Sequence, residues 1–112
     1  MGADIYFEDK QGNTLFYFRD TYNETNLAWV IGLSYWQHHS NTNKKKVDFF
    51  RRLSDISDEQ IVRHVDKLHS NPSKYNIKPG RRGWIKMFKE KRDLIKKNLD
   101  IINKAPRIVW SV

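Results

Sequence analysis

Two segments near the start of the chain alternate between apolar and polar residues in the way that is typical of β-strands. Residues 4–9 place Ile5 and Phe7 on one face between polar neighbours, whereas residues 14–19 are apolar on both faces. Residues 10–13 between them include Gly and Asn, which tolerate the positive φ of a tight turn. The pattern predicts a β-hairpin, which needs a further strand or a helix packed against it to be stable.

The segment 27–36 is apolar around most of a helical circumference. Such a segment is normally buried, so we expect a core helix here, with a buried strand as the alternative. Trp29 is expected to lie in the core and to cover one of the two apolar faces of the second strand. Its replacement by alanine is then expected to cost about 3–5 kcal/mol, as is usual for a large buried aromatic side chain.

The rest of the chain predicts three helices and a last strand. Apolar residues at every third position indicate a short helix over 47–53. A second helix begins at a capping box over 57–60 and ends before Pro72. The longest helix covers 85–102, where an apolar stripe follows the helical period, and residues 107–112 alternate as a strand does.

Together these elements predict an α+β fold, in which a small antiparallel sheet packs against three or four helices. The sheet is expected to combine the N-terminal hairpin with the C-terminal strand. A chain of 112 residues has the size of one domain, and its 38% hydrophobic residues supply one modest core. We therefore expect residues 1–112 to form a single domain, and the sequence does not predict its oligomeric state.

The composition also favours one cellular compartment. Cysteine is absent, which excludes disulfides and thiolate metal sites and is typical of a reducing environment. The longest apolar run, 27–36, is too short to span a bilayer. The N-terminus lacks the basic and apolar regions of a secretory signal. We therefore expect a cytoplasmic protein without a membrane partner.

No residue spacing in the sequence matches a catalytic or cofactor-binding pattern. Residues 80–83 contain two glycines but lack the lysine of a phosphate-binding loop. His64 and His69 are five residues apart, a spacing that does not place two ligands on one helical face. Residues 8–10 combine carboxylates with a lysine but lack the further converging acid of a metal-dependent nuclease. We therefore expect no enzymatic activity, no cofactor, no metal and no small-molecule substrate.

The net charge of +8 is divided unevenly along the chain. Residues 1–43 carry two basic and five acidic side chains, which gives −3, and residues 44–112 carry nineteen basic and eight acidic ones, which gives +11. A strongly basic surface favours nucleic acid or an acidic protein as the partner. Solubility alone is the other explanation of such a charge.

The highest density of basic residues falls in the longest predicted helix. Residues 81–104 contain nine basic and three acidic side chains. Clustered, mobile cations of this kind suffice for phosphate contacts, and a solvated amphipathic helix is the alternative. The run 44–46 with Arg51 and Arg52 extends the candidate surface. The candidate binding residues are Lys44, Lys45, Lys46, Arg51, Arg52, Arg81, Arg82, Lys86, Lys89, Arg92, Lys96 and Lys97.

Aromatic side chains that stack on bases are a further kind of candidate. Aromatic residues at helical spacing belong more often to a core, and we expect core positions here. The residues concerned are Tyr22, Trp29, Tyr35, Trp36, Tyr75 and Trp84.

These features predict a non-catalytic protein that binds nucleic acid or a nucleoprotein through phosphate contacts. The alternative is a small inhibitor or adaptor, of the accessory type found in phages and mobile elements, that docks on an acidic host protein. The sequence does not distinguish DNA from RNA, and it does not identify the partner.

Overall fold

The structure is a computed structural model, and it describes residues 2–21, 25–70 and 80–112. In chain order its elements are β1 (Gly2–Glu8), β2 (Thr14–Thr21), a 3-10 helix (Leu27–Ile31), α1 (Tyr35–His38), α2 (Asn43–Ser54), α3 (Asp58–His69), α4 (Arg81–Lys97), α5 (Leu99–Lys104) and β3 (Arg107–Ser111). The predicted α+β class is confirmed. The predicted helix end at Pro72 and the candidates Tyr22 and Tyr75 lie outside the described residues. Within the three described ranges, no helix is long and apolar enough to cross a membrane.

The predicted hairpin and C-terminal strand form one antiparallel sheet in the order β2-β1-β3. Because β1 is the central strand, Ile5 lies opposite Phe18 of β2 and opposite Trp110 of β3. The turn between β1 and β2 is held by Asp9, whose side chain accepts a hydrogen bond from the Asn13 backbone N–H (2.8 Å). With β1 in the centre, the strands β2 and β3 are the two edges of the sheet.

In the described part of the chain, helices cover one face of this sheet and leave the other open. On the covered face, Phe7 and Phe18 pack edge-on against Phe50 of α2, with ring centroids 5.2 and 5.8 Å apart. On the opposite face, Leu15 is 49% exposed and Tyr17 is 40% exposed. The two faces of β2, both apolar in sequence, therefore have different environments.

The helices α2 and α3 confirm two of the predicted helices. Ser57 caps α3 in the predicted capping box. Helix α2 begins earlier than expected, at Asn43, because the Thr42 hydroxyl accepts a hydrogen bond from the Lys45 backbone N–H (3.3 Å). The run 44–46 therefore forms the first turn of α2.

The longest predicted helix is divided at Asn98 into α4 and α5. The Asn98 side-chain Nδ2 donates to Leu94 O (2.8 Å), so the side chain competes with the backbone for a helical carbonyl. Ile95 and Ile102, on either side of the break, are both fully buried. The apolar period therefore predicted the buried face correctly but not the interruption.

The expectation of one buried helix over 27–36 is wrong. The segment forms the 3-10 helix and α1, separated by Gly32 in the left-handed conformation (φ 70°). Tyr35 is buried, but Trp29 is 39% exposed and Trp36 is 58% exposed. The apolar stripe predicted for one continuous helix is not formed, because Gly32 changes the direction of the chain between Trp29 and Trp36.

Candidate nucleic-acid interface

Several of the predicted basic residues form ion pairs within the fold. Arg81 Nε lies 2.6 Å from Asp66 Oδ1 of α3, and Lys86 Nζ lies 3.9 Å from Glu90 Oε1, one turn further along α4. The hydrogen bond from Arg81 lowers the pKa of Asp66 below its ordinary value. Both cations are partly neutralised, and Arg81 fastens the start of α4 to α3.

Asp58, at the start of α3, pairs with two more of the candidates. Arg92 NH1 lies 2.5 Å from Asp58 Oδ1, and Lys89 Nζ lies 3.7 Å from Asp58 Oδ2. Arg92 also donates to Ile56 O (3.1 Å) and pairs with Asp93, and its side chain is only 13% exposed. The hydrogen bond from Arg92 lowers the pKa of Asp58. Arg92 therefore holds α4 against the α2–α3 junction.

Lys46 departs from its neighbours in the run 44–46, because it is buried. Its Nζ donates to Ile108 O (3.4 Å) and lies 5.8 Å from the centre of the Trp110 ring. It lies one turn before Phe50 and shares the buried face of α2 with it. Burial lowers the pKa of Lys46. The structure therefore places this candidate in the core rather than on the binding surface.

The remaining candidates point to solvent. Arg51 is exposed and, like Lys86, forms a long ion pair within its own helix, in this case with Asp48 (3.8 Å). Six more are exposed and lack an ion pair with any carboxylate in residues 2–21, 25–70 and 80–112; they are Lys44, Lys45, Arg52, Arg82, Lys96 and Lys97.

Two contacts show how these cations are distributed. Asn43 Nδ2 donates to Pro106 O (3.1 Å), and Arg92 donates to Ile56 O (3.1 Å), so α2 runs antiparallel to the stretch 92–106. The last turn of α4 therefore lies along α2. We call the exposed cations of these two segments the basic surface; it consists of Lys44, Lys45, Arg51, Arg52, Lys96 and Lys97.

Arg82 does not belong to this surface. It lies in the first turn of α4, fourteen residues before Lys96. At about 1.5 Å per residue, the two Cα atoms are roughly 21 Å apart along the helix axis. The structure therefore separates the candidates into the basic surface, a set of ion-paired residues on α4, the distant Arg82 and the buried Lys46.

The position of a cation on its helix shows whether the stability of that helix is enough to explain why the cation is there. Cations in the last turn of a helix stabilise it through the macrodipole, which accounts for Arg51, Arg52, Lys96 and Lys97. The first turn of α2 has no acidic residue but carries Lys44 and Lys45, which the dipole disfavours. These two lysines therefore have no explanation in the stability of their own helix.

An exposed aromatic pair lies close to α2 and was not expected from the sequence. The ring of Trp36 stacks on that of His39, with centroids 5.0 Å apart and an angle of 23° between the planes. Next to this pair, the His38 ring packs against Phe49 of α2 (5.1 Å). The signal that could have revealed the pair is Gly32, because a residue with that freedom argues against one continuous helix.

The described residues contain no cluster of three or more His, Asp or Glu side chains that could hold a metal ion. A shallow depression runs along α3, between Asp58 and Asp66. Both carboxylates already pair with arginines of α4. These two carboxylates are therefore engaged in ion pairs of the fold, and Glu59 is the third acidic residue that lines the depression.

Comparison with protein-family models, with curated proteins and with solved structures finds no match to this chain. The geometry of the basic surface and of the residues beside it is therefore the basis for assigning a function.

Proposed function

We propose that the protein is a non-catalytic nucleic-acid-binding domain whose affinity comes from phosphate contacts. The observation that carries this proposal is the pair Lys44 and Lys45, which lie exposed in the first turn of α2 and have no ion pair with any described residue. A phosphate near that turn would meet two ammonium groups and the positive end of the helix dipole. An arrangement that disfavours the isolated helix then becomes favourable in the complex.

The rest of the basic surface supports an extended polyanion as the partner. Arg51 and Arg52 lie two turns further along α2, and Lys96 and Lys97 lie on the neighbouring segment of α4. Contacts of this kind need no base-specific geometry, so binding is nearly independent of sequence. We further propose a cytoplasmic location, since a domain without cysteine needs no oxidising compartment to fold.

Charge reversal with a matched control tests the proposal. The double variant Lys44→Glu/Lys45→Glu is expected to weaken binding to a random-sequence oligonucleotide by at least about tenfold, because two phosphate contacts become repulsions. Lys86→Glu/Lys89→Glu makes the same change of charge on α4, where Glu90 and Asp58 already pair with the native lysines. Equal losses in the two variants, measured by gel shift, would show that net charge and not the basic surface decides binding.

The second candidate function is that of an inhibitor or adaptor that docks on an acidic protein. The exposure of Trp29 and Trp36 favours it, because tryptophan and arginine are enriched at the energetic centres of protein interfaces. Capture from a nuclease-treated lysate separates the two candidates. A stoichiometric acidic protein that is retained after nuclease treatment supports the docking function, and loss of every partner supports nucleic-acid binding.

A further inference from the structure

Trp36 is the most exposed of the large hydrophobic residues in the described part of the chain, at 58%. It is nevertheless held in place, because its ring stacks on His39 and because His39 Nδ1 donates to Trp36 O (2.5 Å). The two rings are thus ordered before any ligand arrives. An ordered, solvent-facing indole is the kind of group on which a planar ligand stacks with little loss of side-chain entropy.

Two cations of α2 that lack an ion pair within the described residues lie on the side of that helix facing α1, the helix that carries Trp36. The ring of Phe49 packs against Tyr35 and His38 of α1, with centroids 5.4 and 5.1 Å apart. Lys45 and Arg52 lie four residues before and three residues after Phe49, so they occupy the same side of α2. Lys45 and Arg52, both members of the basic surface, therefore lie on the side of α2 that packs against α1.

The open face of the sheet offers an instructive contrast. It also carries a stacked pair, Tyr6 and Tyr17, with centroids 4.8 Å apart. Its arginines, however, are paired with carboxylates: Arg19 with Asp4 (3.0 Å) and Arg107 with Glu8 (3.1 Å). That face is therefore close to neutral, whereas Lys45 and Arg52, on the side of α2 that faces α1, are unpaired within the described ranges. Of the two aromatic surfaces, the one at α1 is complementary to a polyanion.

We propose that the stacked pair Trp36–His39, together with Lys45 and Arg52, forms a base-stacking site for single-stranded nucleic acid. The inference rests on the proposed function and deepens it by naming the class of nucleic acid. Bases of a duplex are stacked on each other and hidden from an indole, whereas a single strand presents both its bases and its phosphates. Because only a single strand offers accessible bases, the protein is expected to prefer a single strand to a duplex. DNA and RNA single strands share this chemistry.

The test measures binding to three labelled probes by fluorescence anisotropy: a thymidine 15-mer, the uridine 15-mer, and the thymidine 15-mer annealed to its DNA complement. The wild-type protein is expected to bind the single strands more tightly than the duplex. Trp36→Ala is expected to weaken single-strand binding about tenfold, as the loss of one base–aromatic stack does, and to leave duplex binding unchanged. Trp36→Phe keeps a ring and is expected to restore most of the affinity.

Two controls separate the inference from the proposed function on which it rests. Trp29→Ala removes the other exposed tryptophan, and it is expected to leave binding to all three probes unchanged. If Trp36→Ala binds the single strands as the wild type does while Lys44→Glu/Lys45→Glu binds every probe weakly, the stacking site is wrong and the proposed function stands. If the wild type binds none of the probes, both are wrong.

Discussion

Lys91 Nζ lies 2.5 Å from Asp20 Oδ1, and the Asp20 side chain is fully buried. The same carboxylate accepts hydrogen bonds from the Leu27 backbone N–H (2.7 Å) and from the Tyr35 hydroxyl (2.8 Å). One acidic group therefore connects the end of β2, the 3-10 helix, α1 and α4. It fixes α1, and with it the exposed Trp36, relative to the sheet.

Replacing Asp20 by alanine is expected to lower the free energy of unfolding by about 3–5 kcal/mol, because the largely buried Lys91 would lose its partner and the Leu27 N–H and the Tyr35 hydroxyl would lose their acceptor. Urea denaturation followed by circular dichroism measures the change. Arg19→Ala is the matched control, since it breaks an exposed ion pair on the neighbouring residue of β2. Surface pairs contribute little, so this variant is expected to unfold near the wild-type midpoint. Similar midpoints for the two variants would contradict the role assigned to Asp20.

The buried Tyr35 hydroxyl is expected to make the stability of the protein depend on pH in the alkaline range. Burial, with the nearby Asp20 charge, raises its pKa well above the ordinary value of 10.0. The folded state therefore favours the neutral phenol, and this contribution to stability is fully present below about pH 10 and is lost as pH rises through the folded-state pKa. In urea melts from pH 8 to 11, the free energy of unfolding of the wild type is expected to fall above pH 10. That of Tyr35→Phe is expected to fall less steeply. Parallel curves would refute this assignment.

Lys46 is expected to be dispensable for binding, although Lys44 and Lys45 are not. Burial lowers the pKa of Lys46, so the folded state disfavours its charge, and an apolar residue of similar length fits the same space. Lys46→Met is therefore expected to unfold at the wild-type denaturant midpoint or above it, and to bind nucleic acid within about twofold of the wild type, because distant charges are screened. A loss of binding as large as that of Lys45→Glu would place Lys46 on the surface after all.

Trp29 is expected to contribute less to stability than its sequence context suggests. With 39% of the residue exposed, Trp29→Ala is expected to cost about 1–2 kcal/mol rather than the ~3–5 kcal/mol of a buried ring. Phe50, which is fully buried, provides the comparison, and Phe50→Ala is expected to show the full ~3–5 kcal/mol. Denaturant melts of the two variants, compared side by side, check the difference. Equal losses would mean that Trp29 is packed as tightly as Phe50.

The sequence predicted those features that depend on neighbours within one element. The alternation of Ile5 and Phe7 located β1, and the capping box at Ser57 located the start of α3. Features set by distant residues were not predictable in this way. Asp58 neutralises two cations of α4, and Lys46 is buried because Trp110 and the backbone of β3 pack over it.

The prediction of the candidate site was incomplete for the same reason, because contacts between distant residues decide which cations are paired. A count of basic residues in 81–104 treats all of them as free, but Arg81, Lys89 and Arg92 pair with carboxylates of α3, and Lys91 pairs with Asp20. Such pairs form across the fold and leave no periodic pattern in the sequence. Of the candidate cations that are exposed and lack an ion pair within the described residues, all but Arg82 lie on α2 or in the last turn of α4.

The dependence of nucleic-acid affinity on salt concentration tests directly whether the protein binds through phosphate contacts. If the six cations of the basic surface each displace a counterion from a single strand, a plot of log K against log salt concentration is expected to be linear with a slope of about −4. Lys44→Glu/Lys45→Glu is expected to make the slope shallower by more than one, and Lys86→Glu/Lys89→Glu by less. A wild-type affinity that does not change between low and high salt would contradict binding through phosphate contacts.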